Sequence, residues 1–94
     1  MASPLAAEAT ALQRLLHQRG RTHLSVSARG SHLTVYSGTQ SAPEPRIRLS
    51  RLPGGQYGVS FPAWSGRWEP TPFSGSLTEV LETVEAHFGF HLDP

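Results

Sequence analysis

Cysteine is absent from the 94-residue chain, which excludes a disulfide scaffold, thiol catalysis and every Cys-ligated zinc or iron–sulfur centre. An excess of one charge is lacking too. Eight Arg and no Lys stand against seven acidic residues, a formal net charge of +1, so the chain has neither a polybasic nucleic-acid tail nor a strongly acidic surface. Met1 to Thr10 contains no basic n-region and no sustained apolar run. The expectation is a cytoplasmic protein without a secretory leader or a membrane association. Nucleophile-elbow and phosphate-cradling glycine motifs are also missing, and Gly54-Gly55 runs into a strand pattern, not into the helix N-terminus that would hold a phosphate.

What is present suffices for one core. Apolar residues make up 37% of the chain, nine of them Ala, which supports a single domain over residues 1–94 and not two. Ser3 is a suitable N-cap and Pro4 a suitable first helical residue; Leu5, Ala9, Leu12 and Leu16 follow at helical spacing and Gly20 stops the run. A helix over residues 4–19 is expected.

The period then changes to two. Leu24, Val26 and Ala28 alternate with polar residues, as do Leu33 and Val35, and a turn at Arg29-Gly30 would set Val26 against Leu33 and Leu24 against Val35. Residues 37–45 carry turn formers and no apolar period, so a flexible loop is expected there. A strand from Arg46 follows. A three-residue loop at Pro53-Gly54-Gly55 sets Leu49 against Val59, keeping Ile47, Leu49, Tyr57, Val59 and Phe61 on the core side.

Residues 62–75 form a Pro- and Trp-rich connection, in which residues 67–69 could add an edge strand limited by Pro70 and Pro72. Ser76 and Glu79 make a capping box, and Leu77, Val80, Leu81, Val84 and Phe88 continue at helical spacing up to Gly89, with Phe90 placed for the apolar contact of a Schellman ending. The expected fold class is α+β: a two-layer sandwich in which an antiparallel meander of four to five strands carries an N-terminal and a C-terminal helix on one face.

Double-stranded-RNA-binding domains share the helix–strands–helix order. Their second helix opens on a basic cluster, whereas Ser76-Leu77-Thr78-Glu79 stands at that place here, so the order of elements carries no function. No local catalytic signature is found: Glu79, Glu82 and Glu85 lie on the outer helix face, and Asp93 is the sole Asp. No enzyme, no cofactor and no metal site is expected. His87 and His91 have a metal-ligand spacing, but Gly89 interrupts the helix between them, and His23 and His32 sit diagonally on the first hairpin without an acidic partner.

Two surfaces are candidates for binding. If both helices cover one face of the sheet, the other presents His23, His32, Tyr36, Arg46 and Arg48, where Arg can hold anions and Tyr or His can stack. The aromatic loop offers Trp64, Arg67 and Trp68, two indoles around a guanidinium. The expected function is a non-enzymatic interaction module with a protein partner or a second copy of itself; nucleic acid is the alternative, and an enzyme with no local motif the third reading. The near-zero net charge is a cancellation: residues 1–51 hold seven Arg against Glu8 and Glu44, while residues 52–94 hold Arg67 against four Glu and Asp93. That polarity suits docking between the two halves or steering of a partner.

Overall fold

Leu5, Ala9, Leu12 and Leu16 recur on one stripe, and in the computed structural model, which describes residues 4–39 and 41–94, that stripe is the buried face of α1 (Ala6–Gln18). The helix is shorter than expected: Pro4 precedes it, and the anticipated cap Ser3 lies outside the described residues. Its end is as read. Gly20 has φ +83°, and the N–H groups of Gly20 and Arg21 donate to the carbonyls of His17 (3.1 Å) and Leu16 (2.9 Å), completing a Schellman motif.

Five strands follow as an antiparallel meander: β1 (Ser25–Arg29), β2 (His32–Thr39), β3 (Ala42–Leu52), β4 (Gln56–Pro62) and β5 (Trp68–Gly75), hydrogen-bonded in chain order. The first hairpin turns at Gly30-Ser31, one residue later than expected, so Val26 pairs with Val35 and Ala28 with Leu33. A two-residue hairpin turn demands positive φ at its first position. Gly30 supplies it at +57°, whereas the expected turn would have forced Arg29 into that conformation. Because the register moves by two residues, the apolar face is preserved.

The segment expected as a loop at 37–45 is instead paired: Ser37 opposes Glu44, Gly38 opposes Pro43 and Thr39 opposes Ala42. Pro43 and Pro45 are tolerated because β4 pairs only with residues 48–52 of β3, leaving the outer side of residues 42–47 without a strand to receive a ladder bond. The second hairpin has the expected loop, Pro53–Gly55, with Leu49 opposite Val59.

Much of the connection at 62–75 is β5, longer than the edge strand anticipated at 67–69. Pro70 and Pro72 lack the N–H a ladder needs. The hydroxyl of Thr71 between them donates to the Val59 carbonyl at 2.9 Å, replacing a backbone donor where the register shifts.

The second helix, α2 (Leu77–Phe88), opens on the capping box: Glu79 N–H donates to Ser76 Oγ (3.2 Å) and Ser76 N–H to Glu79 Oε1 (2.9 Å). Its end departs from expectation. Gly89 keeps right-handed helical angles, the chain continues into a 3-10 turn (Gly89–His91), Phe90 is 68% exposed, and Leu92 fills the core position instead.

Both helices pack on one face of the sheet, α1 over β1 and α2 over β4 and β5, and enclose a single core that runs from Leu12 and Leu16 through Val35, Ile47, Leu49 and Val59 to Val80, Leu81 and Val84. This is the two-layer α+β sandwich with an open opposite face. No helix among the described residues is long and apolar enough to cross a membrane.

Candidate functional site

Alternation along the strands decides what the uncovered face presents. Residues one step out of phase with Val26, Leu33, Leu49 and Val59 point away from the helices, giving cross-strand rows Arg29–His32–Ser50–Gly58–Ser74 and Ser27–Thr34–Arg48–Ser60–Pro70. Beyond these rows, where β3 and β4 are no longer paired, Tyr36 stands opposite Pro45 and Trp68 opposite Pro62 on the same face. The Arg48 guanidinium carbon lies 5.1 Å from the centre of the Trp68 ring, a cation–π pair in the middle of the face. Its Nε is out of reach of solvent and has no hydrogen-bond partner. His32 Nδ1 and Ser50 Oγ are 2.8 Å apart, which orients the imidazole along the sheet.

Two shallow depressions flank Arg48. One is lined by Tyr36, Thr34, Arg29, Pro43 and Pro45. The other is lined by Arg48 itself with Ser50, Leu52, Ser60, Pro70 and Pro72.

The face carries no carboxylate. Glu8 is on α1, Glu44 opposes Ser37 and Glu69 opposes Phe61 on the helix-covered side, Glu79, Glu82 and Glu85 are on α2, and Asp93 is beyond it. Four of these acids already have structural partners. Glu79 completes the capping box, Arg19 pairs with Glu82 and Glu85, and Arg21 pairs with Glu85 (3.3 Å) and Asp93 (3.1 Å). The serine backbone and side chain at the helix start hold Glu79 below the usual carboxylate range. Through Glu82 and Glu85 the outer face of α2 is therefore tied to the end of α1.

Of the residues expected on the open face, His32, Tyr36 and Arg48 lie there, and Arg46 and His23 do not. Val35 pairs with Ile47 and Tyr36 with Pro45, so Arg46 is the extra residue of a β-bulge. The bulge re-aims its side chain to the helix side. Arg46 Nε donates to Ser37 Oγ (3.1 Å), and its Nη1 donates to the carbonyls of His91 (3.1 Å) and Asp93. His23 precedes β1, which starts only at Ser25, and its Nε2–H donates to the Leu92 carbonyl at 2.6 Å. Three successive carbonyls of the C-terminal segment are thus held by two side chains that sequence alternation had placed on the other surface.

The expected cluster of Trp64, Arg67 and Trp68 is not assembled either. Trp64 is fully exposed in the β4–β5 turn, closed by Ala63 N–H to Arg67 O at 2.8 Å, while Trp68 belongs to the open face with Arg48. Trp68 and Arg29 are face residues that periodicity missed, Arg29 because the expected turn included it. The signal for Trp68 was the alternation of Trp68 and Pro70 across an edge strand, which two prolines had disguised as a linker.

His87 and His91 do not form a pair of ligands: α2 ends at Phe88, and His91 stacks on Phe61 with ring centres 4.4 Å apart. Burial, with the Arg46 charge adding to it, lowers the His91 pKa from its ordinary value. Among the described residues no group of three His, Asp or Glu could hold a metal ion. Comparison with protein-family models, with curated proteins and with solved structures found no match.

Proposed function

We propose that the protein is a non-enzymatic binding module that takes a protein partner on the open face of its sheet. The observation that carries this reading is the Arg48–Trp68 pair beside Tyr36 on a face without a carboxylate. Arg, Trp and Tyr are the side chains that anchor protein interfaces, and loss of charged residues marks the centre of such interfaces. Around them Ser, Thr and Gly give a low, hydroxyl-bearing surface of the kind that binding loops use to adapt their hydrogen bonds.

Strand addition is a poor route to a partner here. Gln13 Oε1 accepts the Val26 N–H at 2.9 Å on the outer side of β1, and Pro43 and Pro45 interrupt the free side of β3. The face, not an edge, is the better contact surface. Self-association through it would set Arg29 and Arg48 against their own copies, which favours a different chain as partner. Light scattering is therefore expected to give a monomer.

Capture from a lysate of the native source tests the reading. Wild-type bait should retain a partner that R48A and W68A baits lose and that rebinds after purification, while a variant on the far side, Arg14→Ala, retains it. Equal retention by all baits would remove the face from the function. Single-stranded nucleic acid is the second reading, favoured by one observation: Trp68 gives the face a second aromatic platform besides Tyr36. Binding of that kind should weaken steeply with salt.

A further inference from the structure

We infer that the open face recognises an acidic polypeptide segment that lies across the strands with a carboxylate on Arg48. This rests on the binding-module reading and names its partner's chemistry. Charge complementarity is the first support. The face has two guanidinium groups, Arg29 and Arg48, with His32 between β1 and β3, and every acidic residue of the chain is on the helix side or at its margin. Arg19 and Arg21 are engaged with Glu82, Glu85 and Asp93, and Arg46 with backbone carbonyls. Arg48 has a ring beneath it and no ion-pair partner among the described residues. A carboxylate is the acceptor that matches a guanidinium fork.

Shape is the second support. The two depressions lie on opposite sides of Arg48, one walled by Tyr36, Pro43 and Pro45 and the other by Leu52, Pro70 and Pro72. A chain crossing from β2 to β5 covers about 14 Å at ordinary strand spacing, which four or five extended residues span. Its acidic residue then meets Arg48 while flanking apolar side chains enter the depressions.

A nucleic-acid strand matches less well. Its affinity grows with the number of phosphates neutralised, and this face offers two guanidiniums. One face of the Trp68 ring is already occupied by Arg48 and is closed to a base.

The test uses the W64F chain, in which Trp68 is the single indole reporter. A short Glu-rich peptide, its twin with every Glu replaced by Gln, and a single-stranded thymidine oligonucleotide are titrated at low ionic strength while Trp68 emission is followed. The Glu peptide should give a saturable change; the Gln twin and R48Q should each weaken it about tenfold, and R29Q should weaken it less. Circular dichroism of each variant checks the fold, and R29Q is exposed enough to serve if R48Q unfolds. Equal response to the Gln twin, unchanged affinity in R48Q, or no saturable response to the Glu peptide would overturn the inference. Tighter binding of the oligonucleotide would overturn it in favour of nucleic acid. A partner captured by wild type and lost by W68A, with no response to the Glu peptide, would leave the binding module standing and remove the acidic chemistry alone.

Discussion

Gly38 and Gly89 look alike in the sequence, each at the end of a patterned segment, yet their backbones differ. Gly38 has φ +84°, and a Cβ there would sit 2.7 Å from the Ala42 carbonyl oxygen. Gly89 has right-handed helical angles and nothing within contact of an added Cβ. Gly38→Ala should therefore destabilise the fold by about 1–3 kcal/mol, through strain and a backbone clash. Gly89→Ala should be neutral or stabilising by about 0.5–1 kcal/mol, since it only narrows the unfolded ensemble. Denaturant unfolding of the two variants checks this, and a G38A midpoint equal to wild type would contradict the paired geometry of residues 37–45. Reading Gly89 as a left-handed stop failed because the choice between stopping and continuing is made beyond the helix, by Leu92 reaching the core. Ser76 and Glu79 were legible for the opposite reason: their two hydrogen bonds are local and need no tertiary partner.

Elements were legible in the sequence wherever one face was buried along their whole length. The apolar stripe of α2 and the alternation of β2 and β4 named their own core residues. The bulge at Arg46 was not legible, because it exists only in the pairing of β2 with β3, and it reversed the side on which one candidate residue lies. The consequence is a clamp on the C-terminal segment, with Arg46 and His23 on its carbonyls, Arg21 on Asp93 and His91 stacked on Phe61.

That clamp is expected to weaken in acid. Since the folded protein holds the His91 pKa below its unfolded value, the unfolded chain binds the proton first as pH falls. Stability from this group is fully present above about pH 6.5 and is lost on acidification toward the lowered folded pKa. Thermal unfolding followed between neutral and mildly acidic pH should show a steeper loss for wild type than for His91→Phe, which keeps a ring against Phe61. Parallel pH profiles would show that His91 does not drive the loss.

At the scale of the whole molecule, the charge balance of +1 conceals a division of labour. Arg19 and Arg21, from the basic half, dock on Glu82, Glu85 and Asp93, from the acidic half, and join the two helices at one end. Pairs that stay open to solvent on at least one side contribute about 0–1 kcal/mol each, so the effect of Arg19–Glu82 and Arg21–Asp93 is alignment more than stability. Internal docking engages Glu82, Glu85 and Asp93 and leaves Arg29 and Arg48 on the sheet layer without opposite charge beside them. Composition made the cancellation visible, while its spatial meaning required the topology. Alternation separates the apolar surface of Leu33, Val35, Ile47, Leu49 and Val59 from the polar one, and the placement of both helices on the apolar side leaves the polar one free.

The most direct measurement is amide chemical-shift mapping of the protein while the captured partner is titrated in. Shifts should concentrate on Ser27, Thr34, Tyr36, Arg48, Ser60 and Trp68, the residues of the open face, and leave the outer surfaces of α1 and α2 unmoved. Shifts confined to the helices or to the strand edges, with the open face silent, would contradict the account.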